Sequence, residues 1–202
     1  MPFFLTLAVL LLTLPAARAG AAGPVSLPEK ASCRVIAADF VQIRHLAELG
    51  MEVRITGNMV SELDGRLRWQ VDAPVRSVTL IDREKLTHYD GETKKLSVIR
   101  QSSFPWLRIL RDSLDDWLSG DRTRLARRFE VSSPRPRTVR LVPRESAQQK
   151  LFRSVELGFA EKGGFITVIR IVESTGDKLE IRFSKLRHDP PLPPEFWRMP
   201  PR

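Results

Sequence analysis

From Gly65 to Ile81 the chain alternates. Leu67, Trp69 and Val71 are apolar, and Arg66, Arg68, Gln70 and Asp72 stand between them. A repeat of two is the period of a strand with one dry face and one solvated face. Ala73-Pro74 ends it, because proline brings no N–H to a ladder. Ser77 to Ile81 predicts a second strand and Glu84 to Tyr89 a third. Upstream, Met51, Val53, Ile55, Gly57 and Met59 alternate with Glu52, Arg54, Thr56 and Asn58. Gly57 inside that strand predicts a bulge or bend. Leu63-Asp64-Gly65 and Asp90-Gly91 predict hairpin turns, the second leading to Leu96 and Val98. Lys30 to Leu49 fits two patterns. Ile36, Ala38 and Phe40 share one face of a strand, while Val35, Asp39, Gln42 and Leu46 fit a helix.

The period then changes. From Phe104 to Leu118, Leu107, Leu110, Leu114 and Leu118 line one helical stripe, widened by Trp106, Ile109 and Trp117. Pro105 suits a first helical turn and Gly120 an end. Asp121 to Arg128 adds a turn or two. Strands resume at Phe129 and Val131, then Val139 and Leu141, closed by Pro143. Val155, Leu157 and Phe159 follow; Gly163-Gly164 turns the chain into Phe165, Thr167, Ile169 and Ile171. Gly176-Asp177 turns it again into Leu179, Ile181 and Phe183. The tail, 188–202, is rich in proline and reads as extended on the surface. The fold class is mainly β with some helix: a curved antiparallel meander interrupted by one amphipathic helical insert. Such an insert covers a concave apolar face rather than filling it as a second sheet would, which implies a cavity or a thin core.

The N-terminus reads as a signal peptide. Phe3 to Leu14 is apolar but too short to cross a bilayer, and Ala17-Arg18-Ala19 is a small-x-small cleavage pattern. Cleavage after Ala19, or alternatively after Ala22, leaves one domain over 20–187 and the tail. Export changes the meaning of the charge. A net +9 and a pI near 10.4 would suggest nucleic acid in a cytosolic protein. Outside the cytoplasm nucleic acid is not the expected partner. The arginines alternate with apolar residues on strands, which reads as a solvated sheet face with room for transient membrane-surface contact. Cys33 is the only cysteine, so no intramolecular disulfide or thiolate zinc site is expected. Glu29 and Lys30 separate it from the apolar stretch, against a lipidation site.

No chemistry-bearing motif stands out. The chain has no Gly-x-Ser-x-Gly elbow, phosphate-binding glycine loop or His-Glu-x-x-His. His45, His88 and His188 fall in three separate segments, and His88 at a strand end reads as a surface histidine. Asp115 and Asp116 are adjacent on a helix and point apart. A binding protein without catalytic residues, metal or cofactor is the expectation.

Phe40-Val-Gln42, Gly57, Gly65-Arg-Leu-Arg-Trp69, Pro74, Leu80-Ile81, Tyr89-Asp90, Leu141-x-Pro143, Gly176-Asp177 and Phe183 together resemble the LolA family of periplasmic lipoprotein carriers. The resemblance covers roughly Ala38 to Phe183. It implies an incomplete antiparallel β-barrel under a lid of short helices, here about 104–127, with Trp69 in the sheet beneath. It also implies a monomer that takes acyl chains of lipoproteins from an inner-membrane exporter to an outer-membrane acceptor. The expected ligand-binding residues are Phe40, Met59, Leu67, Trp69 and Leu80 of the sheet, with Trp106, Leu107, Leu110, Leu114 and Trp117 of the insert. One feature departs from the family: no Arg-Pro precedes Trp69, and Arg66 and Arg68 face away from it by alternation. The cargo is therefore a lipoprotein or another envelope amphiphile. A cargo-free adaptor that binds envelope proteins along a sheet edge is the alternative, and an esterase-like enzyme lacks its nucleophile motif.

Overall fold

The computed structural model describes residues 33–62, 65–100, 126–144, 146–150, 152–161 and 165–199. The predicted signal peptide and the insert 104–118 lie outside these residues. Among the described residues eleven strands form one antiparallel sheet: β1 (Val35–Leu46), β2 (Met51–Glu62), β3 (Leu67–Ala73), β4 (Ser77–Ile81), β5 (Lys85–Asp90), β6 (Leu96–Arg100), β7 (Phe129–Arg135), β8 (Thr138–Pro143), β9 (Phe152–Phe159), β10 (Ile166–Glu173) and β11 (Lys178–His188). Their order is β6-β5-β4-β3-β2-β1-β11-β10-β9-β8-β7. The sheet is not closed into a barrel: β6 and β7 end the order. Among the described residues, 126–128 are helical just before β7, and a short helix, α1 (Ser146–Gln149), which the sequence pattern does not announce, precedes β9.

Residues 35–46 resolve as strand. Ala38, Phe40 and Gln42 are buried at a period of two, which no helix produces. Gly57 marks a register shift between β2 and β3, as its position predicts. Proline again marks a strand end: a cis peptide joins Ala73 to Pro74. At the next turn Asp82 Oδ1 accepts from the backbone N–H of Glu84 and Lys85. This Asx geometry explains why β5 begins at Lys85.

The chain divides into two compact units. One takes the described parts of 43–53 and 106–181, the other those of 32–42, 54–105 and 182–202. In the first unit Val139, Leu141, Leu157 and Phe159 are buried, with Phe129 and Ile171. The register sets Leu157 opposite both Val139 and Ile169, and Val155 opposite Leu141 and Ile171, so these residues share one face. The other face is a charge ladder: Arg140 opposes Glu156, and Glu156 opposes Arg170. Arg135 Nη2 reaches Glu156 at 2.8 Å, and Arg170 pairs with Glu180. Arginines alternating with apolar residues here serve a solvated sheet face. The same unit holds a denser ionic cluster at the β10–β11 turn. Arg44 Nη2 lies 3.0 Å from Glu173 Oε2 and 3.2 Å from Asp177 Oδ2, and Asp177 Oδ1 accepts from the Ala47 N–H.

The second unit is the meander β3 to β6 with the first part of β1, the continuation of β2 and the end of β11. Its C-terminal segment lies at the surface, as the prolines suggest, and is fastened there. Asp189 Oδ1 accepts from the N–H groups of Arg34 and Val35. Arg68 Nη1 donates to the carbonyl oxygens of Phe196 and Arg198. Proline removes donors from a segment but leaves every carbonyl, and arginine is a donor-only side chain.

Candidate functional site

Trp69 is buried in the second unit and packs on protein from two directions. Phe40 stacks on its ring with centroids 3.9 Å apart and planes at 24°, and Phe183 meets it edge-on at 6.3 Å and 89°. Gly57 makes the stack possible. A Cβ at that position would stand 2.8 Å from Phe40 Cζ and 1.9 Å from the Gln70 carbonyl oxygen. The bulge glycine of β2 therefore lets Phe40 and β3 approach at the same place.

The register assigns every neighbour of Trp69 to a face. Across the strands Met59 opposes Trp69, Trp69 opposes Thr79, Thr79 opposes His88, and His88 opposes Ser97. A parallel row two residues away runs Leu67, Ile81, Leu86, Ile99. This second row is apolar from β3 to β6, with Ser61 opposite Leu67 at its β2 end. Leu67, Ile81 and Ile99 keep part of their surface exposed, as does Met59, while Leu86 is buried.

Four of the five expected sheet residues, Phe40, Met59, Leu67 and Trp69, thus come together. Leu80 does not join them. It opposes Arg68 and Thr87, on the face away from Trp69, because adjacent strand residues point to opposite sides. Trp106, Leu107, Leu110, Leu114 and Trp117 lie outside the described residues.

Thr79 and His88 were missed from the pattern. Thr79 is only 3% exposed, and its Oγ1 lies 2.8 Å from His88 Nδ1. His88, read above as a surface residue, is half-buried. Burial pushes its pKa down, with the Asp90 carboxylate acting in the opposite sense. Asp90 is itself held low by the backbone N–H groups of Thr93 and Glu92. A threonine among β-branched strand residues carries no signal alone; only the register across the Pro74 turn sets it beside Trp69, and that across the Asp82 turn beside His88.

On the opposite face Arg68, which alternation correctly turns away from Trp69, organises the polar side chains of β3, while Val78, Leu80 and Tyr89 of β4 and β5 continue that face as apolar residues. Arg68 Nη2 donates to Gln70 Oε1, Gln70 Nε2 to Asp72 Oδ1, and Asn58 Nδ2 approaches Asp72 Oδ2. The Arg66 guanidinium lies 4.9 Å over the Trp197 ring and that of Arg68 5.2 Å from Phe196. Burial lowers the pKa of Arg68, yet a guanidinium starts too high to lose its charge near neutrality. Among the described residues no three potential metal ligands gather.

An open antiparallel sheet with an apolar row beside a buried tryptophan is a scaffold for holding something apolar. A family model described as outer membrane lipoprotein carrier protein LolA matches residues 31–199. The chain belongs to the LolA family. It is 25% identical over 142 residues to an outer-membrane lipoprotein carrier protein of Pseudomonas entomophila, covering 68% of this chain and 63% of that protein. It is 26% identical over 150 residues to the protein of that name from Dechloromonas aromatica, covering 72% and 67%. The chain thus spans a little under two thirds of the Pseudomonas relative. Among solved structures, an uncharacterized conserved protein from Thermus thermophilus matches with a TM-score of 0.52 at 10% identity, covering 84% of this chain and 87% of that one. That likeness concerns the fold.

Proposed function

We propose that this chain is a non-enzymatic periplasmic carrier that shelters the acyl chains of a lipoprotein, or of another long-chain envelope amphiphile, against the Trp69 face of the second unit. The observation that carries the reading is the row Leu67, Ile81, Leu86, Ile99 beside Met59 and the Phe40–Trp69 stack. Four of these apolar side chains retain exposed surface on one face, and covering them with hydrocarbon is favourable. Burial contributes about 0.8 kcal/mol per methylene, so a long chain binds firmly and leaves only for a competing acceptor. An inner-membrane donor and an outer-membrane acceptor are the partners such a cycle requires. Phe40 and Trp69 form the floor, Met59 and Leu67 the contact surface.

Native mass spectrometry of the purified protein, with displacement of a fluorescent fatty-acyl probe, tests this. Co-purified acyl species and probe binding are expected, and Leu67→Asp is expected to weaken the probe at least tenfold while near-ultraviolet circular dichroism is retained. A clean unliganded mass together with no probe binding overturns the carrier reading and favours an adaptor.

A further inference from the structure

We propose that Thr79 and His88 form a polar subsite that hydrogen-bonds the ester carbonyl joining an acyl chain to its headgroup. The proposal rests on the carrier reading above, and it adds which part of the ligand is recognised and by which atoms. Both residues stand in the same row as Trp69, on the same face, with Thr79 directly opposite it and His88 one strand further. The neighbouring row is apolar from β3 to β6, at Leu67, Ile81, Leu86 and Ile99, with Ser61 at its β2 end. Rows on one face are about 7 Å apart along a strand, so hydrocarbon on the apolar row brings the first atoms of its headgroup within reach of the polar one.

A plain hydrocarbon site has no use for this pair. Valine and leucine would fill the same volume without the cost of desolvating a hydroxyl and an imidazole. Thr79 is nearly inaccessible and meets His88 Nδ1 at 2.8 Å, so the imidazole is fixed by its first nitrogen and meets any ligand through Nε2. When Thr79 donates to Nδ1, the neutral ring carries its proton on Nε2 and is a donor there. An ester carbonyl is acceptor-only and matches that donor. On arrival it exchanges with whatever acceptor Nε2 meets in the unliganded protein. Burial favours the neutral ring, and a neutral ring suits an uncharged carbonyl.

The test compares monopalmitoyl glycerol with 1-O-hexadecyl glycerol, which has the same headgroup and a chain of equal carbon number but no carbonyl. Affinities of the full mature protein are measured by displacement of the fluorescent acyl probe. The wild type is expected to prefer the ester by about tenfold, the scale of one hydrogen bond. Thr79→Val and His88→Phe are each expected to lower ester affinity about five- to tenfold and leave ether affinity within twofold. His88→Gln, which keeps an N–H donor, is expected to recover part of the loss and guards against a folding artefact in His88→Phe. Equal affinity of the wild type for ester and ether, or parallel losses for both lipids in the variants, overturns the subsite while leaving the carrier reading intact. Binding of neither lipid by the wild type overturns both.

Discussion

Arg68 holds Phe196 twice: its Nη1 donates to the Phe196 carbonyl at 3.0 Å, and its guanidinium lies 5.2 Å from the Phe196 ring centroid. The same Nη1 reaches the Arg198 carbonyl at 3.1 Å. Trp69, the next residue, serves the other face of the strand through Phe40. One strand therefore fastens the C-terminal segment on one side and floors the apolar row on the other.

Arg68→Ala is expected to release the segment. Hydrogen bonds from a charged donor contribute about 1.5–3 kcal/mol each, less where solvent reaches them, so docking should weaken by about 2 kcal/mol. Limited proteolysis should then cut near Arg198 at least tenfold faster, and Trp197 emission should move to longer wavelength. Arg68→Lys should not restore docking, since one ammonium cannot span two carbonyls and a ring as a planar fork does. Unchanged proteolysis in Arg68→Ala would mean that the aromatic contacts hold the segment alone.

Gly57→Ala places a methyl where Phe40 Cζ and the Gln70 carbonyl oxygen already stand. The backbone of β3 has to shift, because a carbonyl cannot rotate out of the way as a side-chain tip can. Overpacking of this kind costs about 1–3 kcal/mol. Thermal unfolding should show a fall in Tm of several degrees and a weaker near-ultraviolet signal from Trp69. A Tm unchanged within a degree would show that the bulge absorbs a methyl freely.

The strands were legible because a period of two survives without knowledge of partners. Leu67, Trp69 and Val71, or Val155, Leu157 and Phe159, announce their face from sequence alone. Residues 35–46 needed burial to decide, since Phe40 and Gln42 fit two patterns. What a face does depends on pairing, and pairing is not local. Leu80 is apolar and two residues from Val78, yet its partner is Arg68 rather than Trp69. Thr79 and His88 became a pair only through the turn between them. The tail lies at the surface as its prolines suggest, but its anchoring was not legible, because proline content reports lost donors and says nothing of the carbonyls that Arg68 binds.

His88 gives a pH dependence on the acid side. Its pKa in the folded chain is lowered from an ordinary 6.5, first by burial. Below 6.5 the unfolded chain takes up the proton more readily than the folded one, so stability is lost as pH falls from 6.5 through the lowered folded value. Chemical denaturation at steps from pH 7.5 to 5 should show a smaller loss in His88→Gln than in the wild type. Identical slopes would show that the imidazole charges as easily in the folded protein as in water.

Glu173 acts in the opposite direction. Burial raises its pKa above 4.5, Asp177 adds to that, and Arg44 at 3.0 Å pulls against it without prevailing. Its Oε1 is buried with no hydrogen-bond partner among the described residues. A raised carboxyl binds its proton more tightly in the folded state, so its contribution is most favourable below pH 4.5 and is lost as pH rises through the folded value. Glu173→Gln mimics the protonated form and leaves Arg44 paired with Asp177 at 3.2 Å. The variant is expected to be at least as stable as the wild type at pH 7, with the difference vanishing near pH 4. Arg44→Ala should do the reverse, leaving two carboxylates together at the β10–β11 turn at a cost of about 3 kcal/mol. Denaturant midpoints at the two pH values for both variants check the pair. A Glu173→Gln protein that is clearly weaker at pH 7 would mean that the ion pair with Arg44 outweighs the burial of its charge.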